Sequence, residues 1–407
     1  MAIAKRNLNL DQNPNLKRTK KVWNGTIDFP KNYNISNSVN DILVGDLLIW
    51  KGQKLSQDFL RTKNEDEREE IAKDIYNFAI EYDWSKLRFS DADIKSAWRS
   101  LCDFKIKTDI KDGVTYISNS STSGNKIYRQ YFPNILKVRG NDRKSVYDVL
   151  TDKEFLWKTI YNRVGLTLLF NDDTVNGIPV QYPMNINVSQ LTIGAKNSGF
   201  ASMGSSFKPS VAKAIYNKYV KNGDKVLDYS CGFGTRLLGL MSLKRNNSYC
   251  GYEPNTETYN NLLKMSSDFR FNTEIKCCGS ETELFDHKFN FIFSSPPYHT
   301  SERYCDEESQ CYNKYPEYNQ WLDMYWRKTV ENCIEMLAED GVFAVNIGGM
   351  SNEKMQKMTD DMTAIVEEKM VLVDKWFMVT SKSHLSSKRG DKEKVSKLEG
   401  IYFYKSK

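Results

Sequence analysis

Ser295-Pro296-Pro297-Tyr298 closes an apolar, aromatic run, Phe289-Asn290-Phe291-Ile292-Phe293-Ser294, that has the length of a strand. Two prolines cannot continue a sheet, so the strand must stop at Ser295. In an open α/β sheet the ligand crevice lies beyond the carboxyl ends of the strands, and this turn therefore faces a site. The prolines fix φ and remove donors, leaving carbonyls to accept hydrogen bonds, while Tyr298 adds an aromatic face. Acceptors beside a ring suit a planar substrate that carries an amino group, a description a nucleobase meets. Taken alone, the same motif also reads as a proline turn that closes a buried strand.

A second stretch, Val226-Leu227-Asp228-Tyr229-Ser230-Cys231-Gly232-Phe233-Gly234-Thr235, reads as a strand, a glycine-bearing turn and the start of a helix. Glycines there let the backbone approach a ligand closely. A dinucleotide fingerprint would want Gly or Ala at Leu237, and a phosphate-binding P-loop would want Gly-Lys-Ser/Thr; the sequence has neither. Glu253 ends the next strand, where a carboxylate can take both hydroxyls of a ribose. An ordinary strand-to-helix turn is the alternative for the two glycines.

These motifs, in this order, resemble the class I S-adenosylmethionine-dependent methyltransferases, and Ser295 to Tyr298 is similar to the motif of those that modify the exocyclic amine of cytosine or adenine in DNA. The resemblance covers Phe207 to Tyr404. It implies S-adenosyl-L-methionine as cofactor, with Glu253 on the ribose and Asp228 with the Gly232-Phe233-Gly234-Thr235 turn against the methionine part. It also implies Ser280 and Glu281 beside the adenine, and Phe207-Lys208 closing over the methionine end. Ser295 Oγ and the Pro296 carbonyl would accept from the target amine, Pro297 would stiffen the turn, and Tyr298 would stack on a base flipped out of duplex DNA. Transfer would be direct. A covalent route to cytosine C5 needs a nucleophilic cysteine, usually after proline, and no Pro-Cys dipeptide occurs. Serine at the head of the motif favours N4 of cytosine over N6 of adenine. The alternatives are an RNA or nucleotide methyltransferase and a noncatalytic DNA-binding protein. The implied partner is double-stranded DNA; a restriction partner is not readable.

The elements that must hold these residues alternate. Strands are predicted at Lys225 to Tyr229, Tyr249 to Tyr252, Thr273 to Cys277, Phe289 to Ser294, Val342 to Ile347, Leu372 to Val379 and Ile401 to Tyr404. A helix from Ser210 precedes the first strand, and helices between the strands start at Thr235, Thr256, Tyr318 and Glu353. The expected fold is α/β, a class I methyltransferase-like seven-stranded, mostly parallel sheet with helices on both faces. A mainly helical α+β domain precedes it. The long loop-like segment from Asn171 to Ser206 places the division near Asn197: residues 1–196, with target recognition as a possible role, and the methyltransferase domain over residues 197–407. Before it, Asp41 to Phe104 and Asp148 to Phe170 read as helical, and Val114 to Ser118 with Ile127 to Phe132 as a hairpin. Lys17, Arg18, Lys20 and Lys21 make a basic arm or a solvated terminus. Lys382 to Lys397 is a basic loop suited to phosphates or simply solvated.

Composition sets the outer bounds. The 407 residues are 40% hydrophobic and 13% aromatic, enough for a large core, and the net charge of +6 permits nucleic-acid binding without demanding it. Eight cysteines and three histidines show no zinc spacing, so reduced thiols and no metal are expected. No run nears the ~18 apolar residues of a membrane span, and the start lacks the apolar core of a signal peptide, so a cytoplasmic location is expected.

Overall fold

The computed structural model describes residues 43–44, 47–87, 89–140, 143–164, 174–175, 178–179, 187–197, 200–202, 204, 206–299, 301–349, 353–380 and 397–407. The basic arm near Lys17 and all but the last residue of the basic segment 382–397 lie outside these residues. The chain forms two compact units, Met1–Trp84 with Val146–Ser202, and Ser85–Ser145 with Met203–Lys407. The division is thus not one cut near Asn197: residues 85–145 belong with the sheet that follows residue 203.

Among the described residues, the first unit starts with short antiparallel strands where the sequence predicts a helix. Leu47–Trp50 turns back onto Gln53–Lys54 through Lys51 and Gly52, both at positive φ. The helix Glu65–Glu81 follows, started by an Asn64–Glu67 capping box. Ile71, Ile75, Phe78 and Ala79 are buried along one face, as their spacing predicts. Val188–Asn197, read as loop from sequence, is a helix whose Val188, Leu191 and Ala195 are buried at helical spacing.

In the second unit the strands are β1 Thr108–Lys111, β2 Val114–Ser118, β3 Lys225–Asp228, β4 Ser248–Tyr252, β5 Thr273–Lys276, β6 Phe289–Ser294, β7 Leu337–Gly349, β8 Met370–Thr380 and β9 Lys397–Ser406. Among the described residues they make one nine-stranded sheet in the order β5-β4-β3-β6-β7-β9-β8-β2-β1. Neighbours are parallel except that β9 runs against β7 and β8, and β1 against β2. The seven expected strands are all present. With the helices that connect them they make the expected α/β sheet, parallel but for β9; β1 and β2 extend its β8 edge.

The hairpin at Val114 differs from expectation. Its partner is Thr108–Lys111, joined through Asp112-Gly113 at positive φ. Ile127 to Phe132, predicted as a strand, falls on the helix Asn125–Tyr131 and its C-terminal end, with Ile127 and Tyr128 turned into the core. The preceding helix, α1 Asp91–Cys102, is tied to α2 Pro209–Tyr219 by one cation. Lys213 Nζ donates to the carbonyls of Leu101 at 2.9 Å and Cys102 at 2.5 Å, answering acceptors that a helix end leaves without partners.

Sequence order reverses at β3: β4 pairs with it on one side and β6 on the other. A crevice opens beyond strand ends at such a switch point. The turn after Asp228 and the turn after Ser294 both emerge there.

Candidate active site

Beyond β3 and β6 lies a cleft with about 870 Å³ of empty space, its open mouth included. Of the residues singled out from sequence, Phe207, Gly232, Phe233, Thr235, Glu253, Ser280, Glu281, Ser295 and Pro297 line it. Lys208, Asp228, Gly234, Pro296 and Tyr298 do not. The two motifs therefore share one cavity, though not through every residue.

Asp228 departs from its expected role because its carboxylate is saturated from within the protein. It is fully buried, and Arg236 Nε donates to Oδ2 at 2.7 Å while Arg236 Nη2 donates to Oδ1 at 3.1 Å. Tyr249 Oη adds a bond to Oδ2 at 2.6 Å, Ser294 Oγ one to Oδ1 at 2.6 Å, and the Ser230 amide another to Oδ1 at 3.2 Å. Nothing on this carboxylate is left to hold a ligand directly. Burial alone would pull the Arg236 guanidinium down, yet the Asp228 charge holds it above its ordinary value. Arg236 also reaches the Ser230 carbonyl and lines the cleft. The pair thus braces the turn that follows β3.

That turn needs glycine for two reasons. Gly232 and Gly234 have φ of 52° and 61°, a conformation costly for other residues. A Cβ on Gly234 would in addition sit 2.6 Å from Met265 Cε and 3.1 Å from the Phe132 ring. The Gly232 amide then donates to Glu253 Oε2 at 2.8 Å, and the Asn255 amide to Oε1 at 2.9 Å. Burial pushes the Glu253 carboxyl up to about 7 despite these two bonds. Glu253 is therefore an acceptor whose charge is set near neutral pH.

The cleft also holds two buried atoms without hydrogen-bond partners. Glu281 Oε1 accepts from Lys314 at 3.0 Å, but Oε2 has no partner, and neither has Nε2 of Gln310. Among the described residues these are the cleft-lining side chains with such an atom. They are neighbours, since the Lys314 amide bonds to the Gln310 carbonyl at 3.0 Å. One offers an acceptor and the other, in this amide orientation, a donor. Ser280 is held in place from behind: its Oγ pairs with Thr329 Oγ1 at 2.8 Å, and its carbonyl accepts from Asn332 Nδ2.

At the proline turn Ser295 and Pro297 face the cleft. Tyr298 is instead clamped by its hydroxyl, which accepts from the Gly348 amide at 2.6 Å and donates to Glu399 Oε1 at 3.4 Å. His299 follows at φ 40° with Nε2 2.9 Å from the Pro316 carbonyl. Glu302–Arg303 then pairs antiparallel with Arg139–Gly140, so part of the 85–145 segment holds the loop beyond the turn. Tyr304 lines the cleft, its backbone amide tied to Tyr312 Oη at 2.9 Å.

Arg236, Gln310 and Tyr325 are cleft residues that sequence reading did not select. Tyr325 sits in a π-helical segment, Leu322–Arg327, that turns Tyr325 and Trp326 inward together. The signal available was the aromatic spacing Trp321, Tyr325, Trp326, which an ordinary helical period does not fully explain. Gln310 carries no motif at all.

No family model matches the sequence, and no curated protein is similar to it. Among solved structures, TrmN from Thermus thermophilus is similar with 12% identity and a TM-score of 0.34, over 49% of this chain and 49% of TrmN. The present chain thus spans about half the length of that relative. N-methyltransferase NodS from Bradyrhizobium japonicum is similar at 9% identity and a TM-score of 0.33, over 48% of this chain and 84% of NodS. A methyltransferase from Pyrococcus furiosus is similar at 13% and 0.32, over 48% and 82%.

Proposed function

We propose that this chain is an S-adenosylmethionine-dependent methyltransferase acting on the exocyclic amine of a base in double-stranded DNA, N4 of cytosine ahead of N6 of adenine. The observation that carries this reading is the meeting of Glu253 and the Gly232 turn with Ser295 and Pro297 across one cleft at the switch point of the sheet. The residues present fit the cofactor. Glu253 offers a carboxylate to the ribose hydroxyls, and the turn from Ser230 to Gly234 lies alongside for the methionine part. Glu281 Oε2 and Gln310 Nε2 supply the acceptor and donor that the edge of an adenine needs, which accounts for two buried atoms otherwise without partners.

Bound there, S-adenosylmethionine would supply an electrophilic methyl group on a sulfonium. The protein's part is positioning. An amine conjugated to its ring is a poor nucleophile, and Ser295 Oγ with the Pro296 carbonyl would accept from its two N–H groups. That geometry directs the nitrogen lone pair and stabilises charge as it develops. Tyr298 would stack on the flipped base, with its hydroxyl clamp fixing the ring.

Transfer of labelled methyl from S-adenosylmethionine to duplex DNA, RNA or free nucleotides, followed by mass spectrometry of the nucleosides, tests the reading. N4-methylcytosine in DNA is expected. N6-methyladenine would move the assignment to adenine, label in RNA would change the substrate class, and no transfer to any of these would overturn the proposal.

A further inference from the structure

A second cluster of chemically capable groups lies away from the cleft. Cys250 is buried on β4, Glu274 is its register partner on the parallel neighbour β5, and His287 sits on the crossover leading from β5 into β6. Register partners on adjacent strands point to the same face, so the Cys250 thiol and the Glu274 carboxylate emerge together. The donor atoms of all three residues lie within 4.8 Å of one another. Cys250 Sγ and His287 Nε2 are 3.5 Å apart. Metal bonds of about 2.3 Å to sulfur and about 2.05 Å to imidazole, at a tetrahedral angle, would separate those donors by roughly 3.5 Å.

We propose that Cys250, Glu274 and His287 form a binding site for a zinc-like divalent cation, with solvent in the fourth position. Thiolate, imidazole and carboxylate together suit zinc and select against magnesium and calcium, which take oxygen ligands. On binding, the S–H bond of Cys250 is exchanged for a sulfur–metal bond and the proton leaves to solvent. His287 binds as the neutral tautomer through Nε2. No electron is transferred. The cation ties the crossover to β4 and β5 at the sheet edge, and that same crossover carries Gly279, Ser280 and Glu281 to the cleft. The ligands are far apart in sequence and carry no zinc spacing, since strand register brings Cys250 and Glu274 together.

Cobalt(II) titration of the full chain, in a non-thiol reductant and with Cys277 and Cys278 replaced by serine, tests the site. A sulfur-to-cobalt charge-transfer band with the visible bands of tetrahedral cobalt is expected, and zinc should displace it stoichiometrically. Cys250→Ser should abolish the charge-transfer band, and His287→Gln and Glu274→Gln should each weaken binding at least about tenfold. Zinc should also raise the melting temperature of the parent protein and leave that of Cys250→Ser unmoved. No band in the parent protein, or an unchanged band in Cys250→Ser, would overturn the proposal. The 3.5 Å contact would then be an S–H···N hydrogen bond and nothing more. Because the cobalt readout needs no methyl transfer, failure here leaves the cleft's reading untouched.

Discussion

Arg236 grips both oxygens of Asp228 in an interior that shuts out water: Asp228 is fully buried and Arg236 is 5% exposed. An aspartate read from sequence as a cofactor contact is in the fold the anchor of a network joining β3, β4 and β6 through Tyr249 and Ser294. Removing one partner of a buried pair strands the other charge, which costs about 3–5 kcal/mol. Arg236→Met should therefore lower the denaturant midpoint sharply and, by releasing the turn that follows β3, also weaken cofactor binding in the fraction that stays folded. A folded variant with the parent midpoint would show that the pair is not structural.

Glu253 gives the cleft a pH dependence. Its carboxyl is raised to about 7 by burial, and two ribose hydroxyls would donate to the charged form. Cofactor affinity should then rise with pH up to about 7 and level off above it. Glu253→Gln should flatten that profile and weaken binding by about ten to a hundred fold, the worth of roughly 1.5–3 kcal/mol for a charged acceptor. Stability of the unliganded protein runs the other way. The folded pKa lies above the unfolded one, so the contribution is present below about 4.5 and is lost as pH rises through about 7. Calorimetry across this range checks both signs, and a pH-independent affinity would remove Glu253 from the site.

The seven strands and the two motif turns were legible because apolar runs, glycines and prolines act locally, and their order in sequence fixes a parallel sheet. The partnership of Asp228 with Arg236 was not, since nothing in Thr235-Arg236 distinguishes a buried guanidinium from a solvated one. Residues 85–145 escaped for a related reason. Asp112-Gly113 is itself a hairpin signal, but the pairing of β2 with β8 depends on a strand far along the chain. Gln310 became visible only when burial left its amide without a partner.

Tyr298 offers a separable test of ring and hydroxyl. Tyr298→Phe keeps the ring but frees the Gly348 amide, so turnover on duplex DNA should fall only a few fold if stacking is the main role. Tyr298→Ala should lose about ten to a hundred fold, in line with ~1–3 kcal/mol for a base on an aromatic ring. Cofactor affinity should stay put in both, since Tyr298 lies outside the cleft lining. Full turnover in Tyr298→Ala would show that the ring only packs against the core.

Gln310→Leu should have opposite effects on the empty and the liganded protein. It removes a buried donor that has no partner, so the unliganded protein should melt no lower and by up to a few degrees higher. It also deletes the donor proposed for an adenine ring nitrogen, so on that reading S-adenosylmethionine should bind about five to fifty fold more weakly, for roughly 1–2 kcal/mol lost. Parallel melting curves and calorimetry check the pair. Unchanged affinity would place Gln310 outside the recognition of the cofactor.

The pairing of β2 with β8 bears on how the protein is made. Thr115 lies opposite Trp376, and the pair that flanks the loop beyond the proline turn sets Arg139 against Arg303. As the chain leaves the ribosome, β1 and β2 appear before β8 and must wait, edge exposed, while the roughly 250 residues that separate β2 from β8 follow. At ~5–20 residues per second that wait lasts on the order of tens of seconds. An unsatisfied strand edge held open that long is a template for pairing with another chain. The charged residues of β1, Asp109 and Lys111, lie on the outermost strand, where they blunt the opposite edge, the one that stays open in the finished sheet.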